Sequence, residues 1–382
     1  MNRNWHIAFL HKEFPFGGAE KMTHATANYL CNHSCRVSVL TTKHNRHLYP
    51  QGSERFFNVV LLPERNIKLS GAVAHAIHDF IINNHVHVLV TSRELLYAKW
   101  LKARTGIKII YQLHSSPYYE NLDIEEKKAE SRLAKAIYNS GLQWLSCQFY
   151  RDKYHRIYRW ADAYGVLCDS YKKVIMDELH LNTNNKVWVL PNSIERPKSI
   201  EWKKQKTIIY VGRLSYRDKR VDRLLRIWGK AQPQMPGWTL KIIGEGREMD
   251  NLRNQAAALH LHHLSFEGQT NDVDRYYNEA AMLCLTSSFE GWPMSVAEAQ
   301  SHGVVPVVFD SFLGAKDQIT TEEEGLRITP YDEVAFAKAL VHLSNDNERL
   351  TRMSRRVVEK SRMYSTSRTG EAWIRMLSLL LT

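Results

Sequence analysis

The chain has 382 residues, too many for one ordinary hydrophobic core and suited to two domains. With 44% apolar and 24% charged residues it has the composition of an ordinary folded protein, which excludes long disordered tracts. A formal charge of +12 favours anionic partners without choosing among nucleic acid, anionic lipid and a phosphorylated substrate.

Residues 5–10 form a short strand-like run, too short for a signal-peptide core, and no window approaches the roughly 20 apolar residues of a spanning helix. A cytoplasmic protein is expected. Further strand-like runs fall at 36–41, 58–62, 87–91, 108–112 and 163–168, with helical patterns at 20–33 and at 124–160, the latter broken near Ser140-Gly141. Such alternation reads as βα units on a parallel sheet. Composition shifts over residues 187–200, where a strand at 187–190 ends at Pro191-Asn192 and the polar stretch 195–198 follows, so the domain linker is placed here. A second βα series then occupies 207–211, 240–243, 264–266, 281–285, 304–309 and 325–328. The tail from 347 to 380 is helical in pattern, and its apolar end, 372–381, needs a surface to bury it. The fold class is α/β, with two doubly wound, Rossmann-like halves and a cleft between them.

Three segments carry chemistry. Gly17 and Gly18 follow the first strand at the start of a helix, where a bare backbone and free amides suit a phosphate; the alternative is a plain strand-to-helix turn. Arg213 and Lys219 flank the loop after the strand at 207–211, at the carboxyl edge where open α/β sheets bind ligands; the alternative is a solvated basic loop. The segment Glu290-Gly291-Trp292-Pro293-Met294-Ser295-Val296-Ala297-Glu298 follows a buried-looking strand and enters a helix. Glu290 in the loop and Glu298 about two turns away cannot form an adjacent acid pair, so they should contact different parts of one extended ligand. The amides of Met294 and Ser295 open the helix between them and can hold a phosphate, while a carboxylate suits vicinal hydroxyls.

Together these segments resemble the retaining glycosyltransferases of the GT-B fold that build bacterial surface polysaccharides and lipid-linked glycans, whose paired glutamates have seven residues between them as Glu290 and Glu298 do. His114, Leu190-Pro191-Asn192, Ile243-Gly244-Glu245-Gly246 and Phe266-Glu267-Gly268 extend the likeness over nearly the whole chain. The resemblance implies an acceptor-side domain over 1–195, a nucleotide-sugar domain over 196–363, and a C-terminal helix, about 364–382, packing back on the first. It implies that Gly17 and Gly18 meet the donor's diphosphate from one domain while Arg213 and Lys219 neutralise it from the other. Glu298 would take the ribose hydroxyls, Glu290 the transferred sugar, and His114 would reach that sugar near its anomeric carbon. No metal is required, because cationic side chains and helix starts stabilise the leaving group. The implied donor is a nucleoside-diphosphate sugar, with UDP the leading nucleotide, and the acceptor a glycan or lipid-linked glycan.

The chain departs from the family pattern at Arg220, where glycine is usual, making the loop bulkier or more cationic, and at Trp292, usually phenylalanine, which would trim the sugar pocket. His260, His262 and His263 lack a fourth ligand and read as a solvated loop. The five cysteines read as reduced, buried thiols. The basic, aromatic-rich stretch 127–160 reads as a peripheral contact with an anionic membrane surface or as ordinary helices covering the sheet. Two other functions compete: a nucleotide-sugar epimerase of the same fold and a nucleic-acid-binding protein, the latter without any base-reading module. No nucleic acid partner is expected.

Overall fold

The structure, a computed structural model, describes residues 4–15, 17–46, 56–117, 143–181 and 186–382, with side chains of the helix beginning at Gln143 described from Asp152 onward. The chain divides into two compact units, Met1–Ser193 with Thr366–Thr382, and Ile194–Ser365.

In the first unit, β1 (His6–Phe14), β2 (Arg36–His44), β3 (Asn58–Leu61), β4 (Val88–Thr91), β5 (Lys108–Gln112), β6 (Ala163–Val166) and β7 (Val187–Val189) form one parallel sheet in the order β3-β2-β1-β4-β5-β6-β7. The strands are apolar runs because both faces of a parallel sheet are covered; β4 is buried throughout. Helices α1 (Gly18–Asn32), α2 (Gly71–Asn84), α3 (Ala98–Thr105), α4 (Gln143–Trp160) and α5 (Asp169–Glu178) connect them. The part of the expected 124–160 helix before Gln143, with its break at Ser140-Gly141, lies outside the described residues.

The second unit repeats the plan with β8 (Thr207–Val211), β9 (Thr239–Ile243), β10 (Leu264–Gly268), β11 (Met282–Leu285), β12 (Val305–Phe309) and β13 (Leu326–Ile328) in the order β10-β9-β8-β11-β12-β13. Its helices are α6 (Val221–Ala231), α7 (Met249–Ala258), α8 (Val273–Glu279), α9 (Met294–Ser301), α10 (Gly314–Gln318), α11 (Glu333–Asn345) and α12 (Asn347–Ser361). Trp228, Tyr277, Phe309 and Phe336 are enclosed in its core. Both units are thus Rossmann-like. Strand order reverses between β1 and β4 and again between β8 and β11, so the loops leaving those strands diverge and open a crevice at the carboxyl edge of each sheet.

The helical tail is two helices, α12 and α13 (Thr366–Leu381), separated by a 3-10 turn at Arg362–Tyr364. Helix α13 belongs to the first unit, where the Trp373 ring lies 5.9 Å from Phe9 and Ile374, Met376 and Leu377 join the same core. It approaches α1 closely enough that a Cβ on Gly370 would stand 2.2 Å from the Tyr29 ring. No described helix is long and apolar enough to cross a membrane.

Candidate active site

In the second unit the crevice between β8 and β11 gathers the charged residues of two loops. Lys219, in the loop after β8, donates from Nζ to Glu290 Oε1 at 2.6 Å, and the Ser287 hydroxyl donates to the same oxygen at 2.7 Å. The Glu290 residue is 8% exposed, so water and salt screen this attraction less than they would at the surface. The two loops are also tied through their backbones: Ser288 N–H donates to the Asp218 carbonyl (2.8 Å) and the Thr286 hydroxyl to the Arg220 carbonyl (3.0 Å). Arg223 adds a bond to the Ser288 hydroxyl at 3.0 Å. Arg213 is mostly exposed and pairs with Asp218 at 2.8 Å. Burial raises the pKa of the Asp218 carboxyl, but the Ser215 hydroxyl, Lys219 and Arg213 outweigh it and hold the group below its ordinary value.

Glu298 lies on α9, held by different partners. The Tyr277 hydroxyl, from α8, donates to Glu298 Oε2 at 2.9 Å. Tyr277 is fully buried, and burial together with the Glu298 carboxylate keeps its hydroxyl protonated far above the ordinary range, so it stays a donor. Its ring stacks on His302 at 5.2 Å. Lys204 joins the ends of both helices, donating to the carbonyls of Tyr277 (3.1 Å), Asn278 (3.1 Å) and His302 (2.7 Å). Met294 and Ser295 open α9 after Pro293, whose carbonyl accepts from the buried Gln318 amide at 3.0 Å. The two glutamates therefore sit in separate hydrogen-bonding environments, on a loop and on a helix.

In the first unit, Gly17 caps α1 and its amide donates to Glu20 Oε2 at 3.0 Å, so the chain's own carboxylate occupies that amide. A Cβ on Gly18 would meet no described atom within 4 Å, so packing among the described residues does not demand glycine there. Glu20 also faces His11 Nδ1 at 3.5 Å, and His11 Nε2 meets the Thr23 hydroxyl at 2.9 Å. His114, just past β5, shares with His11, Thr23, Thr91 and Asn192 a pocket at the carboxyl edge of this sheet. Its Nδ1 is buried without a partner among the described residues. Burial, reinforced by the nearby His11 and opposed by Glu20, pushes its pKa down to about 4, so the ring is neutral at pH 7.

Two expectations change, at Arg220 and at Cys31. Arg220 does not make the loop more cationic, because its guanidinium is bound by Asp222 through Nε (3.0 Å) and Nη2 (3.1 Å). Trp292 is buried with its ring 4.8 Å from Tyr364. Cys31 is half-buried, while Cys35, Cys168 and Cys284 are buried, and the side chain of Cys147 lies outside the described residues. His260, His262 and His263 are exposed, and among the described residues no three His, Cys, Asp or Glu gather as metal ligands. In the described part of α4, Tyr154, Ile157 and Trp160 are buried and Arg156 pairs with Glu94 at 3.0 Å. Tyr277, Ser287, His11 and Asp218 are the site residues that sequence reasoning missed. Only Asp218, beside Lys219, carried a signal, because charge next to charge invites pairing.

Residues 192–360 match the family model of glycosyl transferases group 1, and residues 16–196 that of Glycosyltransferase Family 4. An uncharacterized glycosyltransferase of Haemophilus influenzae is 30% identical over 252 residues, which cover 63% of this chain and 71% of that protein. The chain belongs to the group 1 glycosyltransferases. This glycosyltransferase is also 25% identical, over 58% of its length and 61% of the relative's, to the GalNAc-alpha-(1->4)-GalNAc-alpha-(1->3)-diNAcBac-PP-undecaprenol alpha-1,4-N-acetyl-D-galactosaminyltransferase of Campylobacter jejuni. The solved structure of Anabaena HepE in complex with UDP-glucose superposes with a TM-score of 0.74 over 98% of this chain and 99% of its own, at 15% identity. At that identity the likeness establishes the GT-B fold alone.

Proposed function

We propose that this glycosyltransferase moves a hexose or N-acetylhexosamine from a nucleoside-diphosphate sugar, with UDP as the nucleotide, to a glycan or lipid-linked glycan of the cell surface, with retention at the anomeric carbon. The observation that carries the proposal is the Lys219–Glu290 pair at the β8/β11 crevice, inside the group 1 region. An ammonium and a carboxylate held 2.6 Å apart can exchange each other for the two halves of a sugar diphosphate: Lys219 turns to the phosphates and Glu290 to the sugar hydroxyls. Arg213 adds charge to the same diphosphate, the helix start at Met294 and Ser295 adds amides, and Glu298 takes the ribose hydroxyls. Gly18, and Gly17 once Glu20 releases its amide, are assigned to the diphosphate and His114, neutral at pH 7, to a hydroxyl of the sugar. The bond from the acceptor oxygen to the anomeric carbon forms on the face from which the phosphate departs, and the departing phosphate oxygen takes the acceptor's proton. The mechanism calls for no metal.

The test is turnover with a panel of nucleotide sugars, read as donor hydrolysis and as transfer to candidate acceptors. Glu290→Ala and Lys219→Ala should each abolish it; normal turnover in both sinks the site assignment. An epimeric sugar product formed without any acceptor would instead favour an epimerase. The undecaprenol-linked substrate in the name of the Campylobacter relative extends the proposal to peripheral contact with an anionic membrane. Sedimentation with anionic vesicles checks this, and no binding at low salt removes it.

A further inference from the structure

Arg220 follows Lys219 directly and has a φ of 49°, in the left-handed region that glycine adopts freely and a side chain disfavours. It caps the N-terminus of α6 yet makes no side-chain capping bond, so helix capping does not explain an arginine here. Its guanidinium grips Asp222 through two bonds and lies 4.3 Å over the Tyr216 ring. Asp222 is 3% exposed, and its other partner, Arg226 (3.1 Å), is itself fixed by Glu333 at 2.6 Å. The Arg220 carbonyl meanwhile accepts from Thr286, in the loop that carries Glu290. A disfavoured turn is thus clamped at its side-chain end by an ionic network centred on the buried Asp222 and at its carbonyl by the facing loop, with Lys219 immediately before it.

We propose that Arg220 is a positioning residue for donor binding: its pair with Asp222 and its stack on Tyr216 hold the turn that presents Lys219 to the diphosphate. This rests on the donor-site assignment above. Glycine at 220 would relax the backbone and free the turn to sample other shapes, so ordering it would fall to the ligand. The arginine keeps one shape in place before the ligand arrives.

The experiment measures binding of UDP, with GDP beside it, by titration calorimetry, together with thermal melting and donor kinetics. In Arg220→Gly the loss of the Asp222 pair is offset in part by relief of the left-handed backbone, and Asp222 keeps Arg226, so the protein should still melt cooperatively with a fall of only a few degrees. Nucleotide Kd and donor KM should rise about tenfold while kcat changes by less than about threefold. Tyr216→Ala, at an exposed residue, removes the stack and the 3.4 Å hydrogen bond from Arg220 Nη2 to the Tyr216 hydroxyl but leaves the Asp222 pair, and should raise Kd in the same direction by a smaller factor at unchanged melting temperature. It decides the matter if Arg220→Gly fails to fold. Wild-type nucleotide affinity in these variants, with weakened binding in Lys219→Ala, overturns the role of Arg220 and leaves the donor site standing. Wild-type affinity in Lys219→Ala as well overturns the donor site itself.

Discussion

Tyr277→Phe removes a single oxygen from the core of the second unit without changing the shape of the ring. That oxygen donates to the Glu298 carboxylate at 2.9 Å from a side chain with no exposure, and it links α8 to the glutamate assigned to the ribose. A hydrogen bond to a charged group contributes about 1.5–3 kcal/mol, and because Glu298 is only half-buried, entering water recovers part of it, leaving a loss of about 1–2 kcal/mol. For a unit of this size that corresponds to a fall in melting temperature of roughly 2–8 °C. Donor binding should weaken by about two- to tenfold, since the carboxylate is no longer fixed before the ribose arrives. Scanning calorimetry reads the first effect and nucleotide titration the second. Unchanged melting and unchanged affinity together would refute the claim that Tyr277 orients Glu298.

His114, with a folded pKa of about 4 against an ordinary 6.5, takes up its proton in the unfolded chain first. Its contribution to stability is therefore complete above about pH 6.5 and is lost as the pH falls towards 4. His114→Asn should flatten the stability profile over that window in chemical unfolding, though not abolish the slope, because burial also lowers His6 and His302. An unchanged profile would contradict the desolvated setting of the ring. Gly370→Ala drives a methyl into the Tyr29 ring where α13 meets α1, and should destabilise the first unit by about 1–3 kcal/mol in thermal unfolding. Adding Tyr29→Ala should recover part of the loss, and additive losses would show that the two helices do not meet as described.

Much of the fold could be read from apolar runs, because a strand covered on both faces leaves an uninterrupted signature. The runs at 207–211 and 108–112 coincide with β8 and β5 residue for residue. Strand β1 extends to Phe14, beyond the run at 5–10, because Lys12 and Glu13 at the sheet's carboxyl edge interrupt the pattern. The loops holding Lys219 and Glu290 were legible as motifs, since glycine, charge and a helix start are local. Their union was not, because 71 residues separate the partners of that ion pair. The Tyr277–Glu298 bond, across 21 residues, was hidden for another reason: a tyrosine among the charged residues of a short helix reads as its packing side chain, and its hydroxyl becomes informative only once its acceptor is known. Arg220 could be seen to replace a small residue, but not that its backbone would be left-handed or its charge neutralised by a residue two positions on.

The central claim is that Lys219 and Glu290 exchange their mutual pair for the two halves of a sugar diphosphate, and mass spectrometry of reaction products with candidate lipid-linked acceptors tests it most directly. The wild type should yield an acceptor heavier by one hexose or N-acetylhexosamine together with free nucleoside diphosphate, and Lys219→Ala and Glu290→Ala should yield neither while melting as folded proteins. Equal product from the wild type and both variants would contradict the account.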